Sequence, residues 1–491
     1  MANPQTPSRS LACLLVAQTQ VVLNDNAAKL MLVGLAQFPG ILDAEDVGVV
    51  ISLLPLLMIT PFILFSPIAG WFSDHFSKWR VLQVSLLLQV GVLLTLTLAL
   101  QLHNVWLALA FIFVLTMQAT LFSPAKRGIL KELVGSKRLS RAVGWMEMLT
   151  VAAILLGSFG GGWLFDLWTR LAGRDPWSGA IHVGWILTAL SGLAFLVFLG
   201  VEKTPAVGAE PYRANLWWRH AGNVQELWRT RPLFRAGLGI VYFGLMGGIL
   251  YLTALQVGRE LHGGDVGSTT ATGIMLVLLG LGTVAGNLGA GYFSRRGVEL
   301  GLVPLGCIGM AAGLALAGLT PLAGWLYDGA LVLLGVGGGI FLVPLFAYLQ
   351  DNAGDHRRGR MLAAVNVLDS LGGIVAIGCY SGMSQWLDLR AQQELLVLIV
   401  PTVLVGFYST WLLPEPFLRL LIKAVARMVY RVRVRGLENL PASGGALVIC
   451  NHISYIDAII LQLASPRRMS FLAFADLRRS WWINLDRKSV V

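Results

Sequence analysis

A histidine and an aspartate near the C-terminal end of the sequence have the types and the spacing of an acid–base pair. They occur in residues 451–457, which read NHISYID and form an N-H-x4-D box. Histidine is the most frequent general base in proteins, and a carboxylate can orient it. A tight turn after a strand brings residues at this spacing together, and residues 446–450 are predicted to form a short buried strand. The pattern predicts His452 and Asp457 as a catalytic pair.

A second set of polar residues lies within long apolar segments earlier in the chain. A charge at the centre of a bilayer costs roughly 2.5–3.5 kcal/mol on permissive scales, so it is expected to face the interior of a helix bundle. Asp25 and Lys29 are four residues apart with the acid first, the order that favours a pair on one helix. Either they satisfy each other as a salt bridge or they contribute to a substrate or ion site. The flanking Asn24 and Asn26 favour the polar site.

Three further charged residues are candidates for the same site. Lys126 could supply a cation to a bound anion, as could Lys29. Glu147 could face the site or could pair with Lys126 or Arg127 as a structural clamp, and the clamp is slightly favoured. Asp369, three residues after Asn366, either faces a cavity or fixes its helix to a neighbour.

The composition places most of the chain in a membrane. Of 491 residues 56% are hydrophobic and 13% are charged, with a mean hydropathy of +0.70, whereas a soluble domain has about 25% charged residues. The net charge of +11 is assigned to cytoplasmic loops that face anionic lipid and not to nucleic-acid binding. The four cysteines have no C-x-x-C spacing, so neither a disulfide framework nor a metal site is predicted, and no cofactor is expected.

Twelve segments have the length of membrane-spanning helices. A bilayer core about 30 Å thick needs roughly 20 apolar residues per helix. The sequence therefore predicts an all-α membrane protein. The approximate bounds of the segments are 11–36, 47–72, 80–101, 104–124, 142–165, 180–200, 234–258, 268–293, 300–320, 325–349, 361–386 and 394–413.

The charges of the connecting loops orient these helices. With the N-terminus inside, the inner loops carry nineteen Lys and Arg residues, Lys126 and Arg127 among them, and the outer loops carry four. Positive charge accumulates in cytoplasmic loops. Both termini are therefore predicted to be cytoplasmic.

A long loop at about 201–233 divides the helices into two sets of six, about 1–200 and 234–413. Transporters that rock two halves around a midplane site have this plan. Clusters of glycine within the helices allow close approach and sliding, although plain packing explains any single glycine as well. The arrangement predicts a transporter domain over residues 1–413 with a cytoplasmic linker.

The loop between the second and third helices reads GWFSDHFSKWR over residues 70–80. It resembles the G-x-x-x-D-x-x-x-K/R-x-R loop of the major facilitator superfamily, whose fold has two six-helix halves. Gly70, Asp74, Lys78 and Arg80 match this pattern. The resemblance implies that the aspartate caps and charge-pairs across the bundle as a conformational latch, while the cations hold the loop inside. The equivalent loop after the eighth helix keeps the glycine and the cations but has no aspartate.

Other segments resemble the lysophospholipid transporter family within that superfamily. They read NDNA at 24–27, FSPAKRGIL at 122–130, WME at 145–147 and VPL at 343–345. The resemblance covers about residues 1–413 and implies that the chain flips lysophospholipid across the bacterial inner membrane. A mostly apolar cavity with few charges suits a lipid with an acyl chain better than it suits a sugar.

The character of the chain changes after Pro414 and Pro416. Cations recur every four residues among apolar ones, so residues 414–435 are predicted to form an amphipathic linker on the anionic inner leaflet, with an ordinary helix-end cluster as the alternative. Residues 431–435 alternate with period two, a strand pattern. Residues 436–491 are predicted to open a soluble α/β domain.

With the lead-in RGLENLP at 435–441, the box at 451–457 resembles the glycerol-phosphate acyltransferase family. The resemblance implies that His452 is the general base on the acceptor hydroxyl and that Asp457 orients it. The 34 residues after Asp457 contain no Glu-Gly-Thr-Arg-like box, so we expect an incomplete domain with a vestigial pair. The chain looks like the first part of a bacterial fusion of transporter, acyltransferase and acyl-carrier-protein ligase.

Three functions remain open from the sequence. The first is transport of lysophospholipid, with lysophosphatidylethanolamine as the expected substrate, to supply reacylation at the cytoplasmic face. The second is a membrane-anchored acyltransferase of lysophospholipid or 1-acylglycerol phosphate, for which acyl-acyl-carrier protein or acyl-CoA would be the acyl donor. The third is an efflux carrier for drugs or small solutes.

Overall fold

The chain folds into a bundle of long helices in the computed structural model. The structure describes residues 7–206, 208, 220–262, 267–294, 297–322 and 324–429, together with 440, 444–451, 457, 460, 461 and 469. The chain separates into two compact units, Met1–Leu412 and Leu413–Val491. The first unit holds the helix bundle.

The bundle has an N-terminal half, a linker helix and a C-terminal half. The N-terminal half contains α1 (Pro7–Gln37), α2 (Ala44–His75), α3 (Lys78–Gln101), α4 (Val105–Leu171) and α5 (Pro176–Phe198). The linker helix is α6 (His220–Arg229). The C-terminal half contains α7 (Arg231–His262), α8 (Gly267–Phe293), α9 (Leu302–Leu319), α10 (Trp325–Asn352), α11 (Arg358–Ser381), a π-helical turn (Gly382–Trp386), α12 (Ala391–Val397) and α13 (Ile399–Leu412).

α4 is two helical arms joined at Gly135. Its 67 residues would reach about 100 Å at 1.5 Å per residue, roughly three times the thickness of a bilayer core. Gly135 has φ 66° and ψ 169°, a conformation that glycine tolerates and that ends the first arm. Residues 125–141 were expected to be a loop, but they extend both arms, because this stretch is rich in helix-forming residues and buries Ile129, Leu130 and Leu139.

Ten helices of the described part are long and apolar enough to cross a membrane, with α4 counted once. α1 is not among the ten, although it has 31 residues. Its central turns carry Asn24, Asp25, Asn26 and Lys29, and α1 is more polar than α2 and α7, which have similar lengths. These residues make α1 a candidate for part of a polar site.

The distribution of side chains is that of a protein surrounded by lipid. Large apolar side chains point outward, as at Phe159 and Phe407, which are 72% and 73% exposed. Polar side chains such as Asn24 and Gln89 are fully buried. Exposed apolar surface of this extent is stable against acyl chains, while polar groups in a bilayer belong in the bundle interior.

The ends of the helices define two faces of the bundle. We call one the linker face, because α5 ends and α7 begins there on either side of the linker; the α2–α3 and α10–α11 turns lie on it as well. Trp79 after the α2–α3 turn donates from Nε1 to the backbone oxygen of Val201 at 2.9 Å. Glu226 of α6 forms an ion pair with Arg357 at the start of α11 at 3.2 Å. Both ends of the linker are therefore held against this face.

The second unit begins with α14 (Pro414–Val429), which lies in the stretch predicted to be an amphipathic helix. Residues 445–450 form no regular element, and Leu447 and Ile449 are 79% and 86% exposed. The prediction of a buried strand at 446–450 is therefore wrong for this structure. A strand needs a hydrogen-bonded neighbour, and the described residues of this unit provide none; the strand pattern at 431–435 lies outside them.

Candidate functional site

Asp25, in the middle of α1, lies in a polar cluster inside the N-terminal half. Gln89 of α3 donates from Nε2 to Asp25 Oδ1 at 3.5 Å, and Ser191 of α5 donates to Gln89 Oε1 at 3.1 Å. The neighbouring Asn24 donates to the backbone oxygen of Leu187 in α5 at 3.0 Å. Two neighbouring helices thus fix the polar segment of α1 and place the carboxylate of Asp25.

Lys29 does not form a salt bridge with Asp25. Its ammonium donates instead to Asn26 Oδ1 at 3.3 Å, while Asp25 accepts from Gln89. Within the part of the chain that the structure describes, both charges lack a counter-ion at ion-pair distance. Of the two alternatives open from the sequence, the self-satisfied pair is not the one observed.

Lys126 of α4 faces α1. Its Nζ donates to Gln18 Oε1 at 3.4 Å and lies 5.9 Å from the centroid of the Phe122 ring. Gln18 is held in turn, because it accepts from Thr150 Oγ1 at 3.3 Å and donates to the backbone oxygen of Met146 at 3.4 Å. Lys126 is only 8% exposed, so counting it among the loop cations was wrong; the extension of α4 draws it into the bundle.

Arg127, the next residue, points between the two halves. Its Nη2 lies 3.5 Å from Glu147 Oε1 in the second arm of α4, and its Nη1 donates to Asn366 Oδ1 in α11 at 3.2 Å. Its guanidinium carbon lies 4.0 Å from the centroid of the Phe346 ring in α10. Ser123, one turn earlier, accepts from Asn366 Nδ2 at 3.1 Å. Of the two cations considered for Glu147, Arg127 is therefore its ion-pair partner.

Arg127 was not a candidate in its own right from the sequence, where it counted as a loop cation. The structure places it at the centre of the contacts between halves. Asp369, one turn after Asn366, packs against α7, where a methyl group on Gly244 would overlap its carboxylate. Asp369 also interacts electrostatically with Arg127 and Glu147. Asp369 therefore both contacts α7 and lies close to the ion pair of Arg127 and Glu147.

Asp74, at the end of α2, caps the start of α11. Its Oδ1 accepts from the backbone N–H of Gly359 at 2.6 Å and its Oδ2 from that of Arg360 at 2.9 Å. The Arg360 Nε lies 3.6 Å from the same carboxylate, which is fully buried. A carboxylate that satisfies the free N–H groups of a helix N-terminus also interacts favourably with the helix dipole. The contact joins the N-terminal half to the C-terminal half, and we call this contact of Asp74 with the start of α11 the latch.

Glycine allows α2 and α11 to approach closely at this contact. A Cβ built on Gly70 would lie 2.9 Å from Ala363 Cβ, and one on Gly359 would lie 2.7 Å from Asp74 Oδ1. Any larger side chain at either position has to separate the two helices. Gly70 thus contributes space to the latch, while Asp74 contributes the charge.

The two cations of the α2–α3 loop differ in position. Lys78 is fully buried and forms an ion pair with Glu132 of α4 at 2.5 Å. Its stem packs over Gly128, where a Cβ would lie 2.9 Å from Lys78 Cε. Arg80 is exposed. Lys78 therefore connects the α2–α3 loop to α4 within the N-terminal half, whereas Arg80 lies on the protein surface.

Two further contacts join the halves at the linker face. Lys131 of α4 forms an ion pair with Asp351 of α10 at 2.9 Å. The fully buried Arg358 donates to the backbone oxygen of Gly128 at 3.3 Å and to that of Gln350 at 2.9 Å. With the Asp74 latch, these contacts close the bundle at the linker face.

The predicted catalytic pair of the second unit can be placed only in part. His452 lies outside the described residues, and Asp457 is helical. Asn451 and Cys450 are exposed.

Residues 21–377 match the family model described as Major Facilitator Superfamily. The chain belongs to this superfamily. It is 30% identical to the Lysophospholipid transporter LplT of Klebsiella pneumoniae over 77% of the chain and 90% of that relative. It is 28% identical to LplT of Yersinia pestis over 78% and 88% of the two chains. The resemblance inferred from residues 70–80 and from the helix segments is thereby confirmed.

Solved structures of the superfamily have the same helical fold. The human organic anion transporter MFSD10 superposes with a TM-score of 0.65 at 15% identity, covering 83% of the chain and all of MFSD10 (100%). The superfamily transporter FucP gives 0.64 at 13% identity over 82% and 98%, and the proton:xylose symporter XylE gives 0.61 at 14% over 84% and 96%. At these identities the likeness establishes the major facilitator fold alone.

The tail of this major facilitator protein matches a second family. Residues 431–485 match the model described as Acyltransferase. The matched region includes the N-H-x4-D box, from which the same family was inferred. The two matches together give a transporter bundle followed by an acyltransferase segment.

Proposed function

We propose that this major facilitator protein moves lysophospholipid across the bacterial inner membrane, from the outer to the cytoplasmic leaflet. One observation carries the proposal: the chain is similar to relatives named Lysophospholipid transporter LplT. The similarity extends over 90% of one such relative at 30% identity. The polar cluster around Asp25 supports it. A lysophospholipid is the substrate class, with lysophosphatidylethanolamine expected.

The charges of the cluster suit a zwitterionic headgroup. Asp25 and Lys29 lack ion-pair partners in the described part of the chain, and Lys126 is satisfied by the neutral Gln18. In this proposal the lysines interact with the phosphate and Asp25 with the ammonium of the lipid. A site with a few convergent polar groups among apolar ones suits a lipid that carries an acyl chain.

Twelve spans are part of the proposal. Ten described helices are apolar enough to span a membrane when α4 is counted once. Counting the two arms of α4 separately at Gly135 gives eleven spans, and α1 is proposed as the twelfth. An even number places both ends of the bundle on one side. The excess of Lys and Arg in the loops of the linker face supports a cytoplasmic position for that face. The closed linker face then leaves access from the other side, and opening of the latch completes the transport cycle.

Uptake of lysolipid tests the proposal directly. Spheroplasts that express the full chain, in a strain without its own lysophospholipid transporter, are given radiolabelled lysophosphatidylethanolamine. Accumulation above that of spheroplasts with an empty vector is expected, together with competition by unlabelled lysolipid. A correctly inserted chain that gives no uptake contradicts the proposal, and drug resistance in the same cells would favour an efflux carrier.

Acyl transfer to the delivered lysolipid is a second candidate, which the Acyltransferase match over residues 431–485 favours. His452 would act as the base on the acceptor hydroxyl, with acyl-acyl-carrier protein or acyl-CoA as the donor. The purified full chain and its His452→Ala variant are compared in a lysolipid acylation assay. Product that depends on His452 supports the enzyme; equal background in both leaves the chain as a carrier.

A further inference from the structure

Three residues form a contact between the halves that lies deeper than the latch. Ser123 and Arg127 are four residues apart on α4, so they lie on one side of the helix. Together they hold both ends of the Asn366 amide, the hydroxyl accepting at 3.1 Å and the guanidinium donating at 3.2 Å. We call this group the clasp. It lies about two turns inward from Gly135, on the side of the latch that leads to Asp25 and Lys126.

The guanidinium of Arg127 is incompletely used in the clasp. Its Nε–H is buried and has no hydrogen-bond partner. Its Glu147 contact is long, at 3.5 Å, and Asn366 offers a neutral oxygen. The side chain as a whole is 16% exposed. An arginine fork binds phosphate through two parallel bonds in which both partners are charged, whereas the Asn366 oxygen is a neutral partner that accepts one bond.

We propose that the phosphate of the bound lysolipid passes from the lysines of the Asp25 cluster to Arg127, which gives up Asn366 for it, and that this exchange weakens the clasp. The inference rests on the proposed substrate class and adds how binding is coupled to opening. Loss of the Arg127–Asn366 bond leaves the bond between Ser123 and Asn366 as the remaining hydrogen bond of the clasp. The hold of α4 on α11 is thereby weakened, and the contacts at the linker face remain to be broken. Lys126 faces α1 and does not contact α11, so it does not perform this step.

The carboxylates beside Arg127 limit the strength of the exchange. Glu147 forms an ion pair with the guanidinium, and Asp369 interacts with it electrostatically from α11. Both repel a phosphate, so the lipid is held weakly enough to leave after the halves have rearranged. Removal of the lipid returns Arg127 to Asn366 and restores the clasp.

Electron-spin distance measurements test the exchange. Spin labels are placed at Lys137→Cys and His356→Cys, two exposed positions in opposite halves at the linker face, in a variant without the four native cysteines, reconstituted in nanodiscs. Lysophosphatidylethanolamine is expected to increase the long-distance population. Monoacylglycerol with the same acyl chain, which has no phosphate, is expected to leave the distances unchanged.

Three variants separate the clasp from general effects. Arg127→Gln should abolish the difference between the two lipids, because it removes the charged fork that would bind the phosphate. Asn366→Ala should increase the long-distance population before any lipid is added. Arg138→Gln, at an exposed position of the same face, is the matched control and should respond as the parent does.

The outcomes also distinguish the inference from the proposed function. An Arg127→Gln variant that still separates the two lipids overturns the exchange. A parent protein that takes up lysolipid but shows no phosphate-dependent opening overturns the exchange and leaves the transport proposal standing. Phosphate-dependent opening without lysolipid uptake keeps the exchange and contradicts lysolipid as the transported molecule.

Discussion

At the scale of single residues, neighbours on one helix have different roles because they point in different directions. Successive residues of an α-helix are rotated by about 100°. Lys126 therefore reaches α1 at Gln18, while Arg127 reaches α11 at Asn366 and α10 at Phe346. One cation thus belongs to the polar cluster of the N-terminal half and the other to the contact between halves.

Asp25 should be needed for its charge and not for its hydrogen bond. Asp25→Asn keeps an oxygen that can accept from Gln89 but removes the negative charge, so we predict a fall of about tenfold in lysolipid uptake, or about 1.4 kcal/mol. Uptake by spheroplasts, normalised to the amount of inserted protein, measures the effect. The matched variant Gln89→Leu keeps the charge and removes the bond at 3.5 Å, and it should retain most of the uptake. Equal losses in both variants would assign Asp25 a structural role.

At the scale of helices, the latch depends on a carboxylate and on two glycines. The Asp74 carboxylate accepts two backbone N–H groups at the start of α11, and an amide oxygen can replace only part of that interaction. We predict that Asp74→Asn destabilises the state closed at the linker face by about 1–3 kcal/mol. The spin-labelled protein should then show a larger long-distance population without lipid.

Gly70→Val is the steric counterpart of that change. A valine would meet Ala363 and the backbone of Arg360, so the variant should also open the linker face although every charge is present. Gly91→Val, at a position on α3 with nothing near the added Cβ, controls for the introduction of valine into a helix. If the spin-label distances of Gly70→Val remained those of the closed state, α2 and α11 could separate without opening the linker face.

The linker helix should make a smaller contribution. Glu226 pairs with Arg357, whose side chain is 57% exposed, and lies 3.9 Å from Arg360. Exposed ion pairs contribute about 0.2–1 kcal/mol, so Glu226→Gln should shift the distances only slightly. Because Arg360 also contacts Asp74, the effects of Glu226→Gln and Asp74→Asn should not add. A double-mutant cycle on the spin-labelled protein measures the coupling, and strict additivity would exclude a shared role of Arg360.

The sequence predicts a helix well where an apolar run alone determines it. It does not predict which side chains from distant helices contact one another. The run of residues from 80 to 101 became α3 nearly unchanged. The partners of Asp74 lie 285 and 286 residues away, so only a family pattern could indicate the role of this residue. The position of Arg127 was missed because residues 125–141 were assigned to a loop, whereas buried side chains extend the helix through them. The four-residue spacing of Ser123 and Arg127 can be read from the sequence. That the two residues act together follows only from their shared partner Asn366, which is distant in the sequence.

At the scale of the whole molecule, the two halves are joined by contacts of different depth. The rim is closed by the Asp74 latch, the Lys131–Asp351 ion pair and Arg358, and the clasp lies behind them. In the proposed transport, a bundle that is closed at the linker face binds its substrate from the opposite face. The direction of transport therefore depends on which side of the membrane the linker face occupies.

Labelling of single cysteines determines that side. His103 lies at the turn between α3 and α4 and Lys137 just after Gly135, at opposite ends of the first arm of α4, and both are exposed. In the variant without native cysteines, a membrane-impermeant maleimide added to intact spheroplasts should label His103→Cys, and it should label Lys137→Cys only after the membrane is opened. The expectation follows from the excess of Lys and Arg around the linker face. The reverse pattern would place that face outside, and the closed state would then accept lipid from the cytoplasmic leaflet, which contradicts the proposed direction of transport.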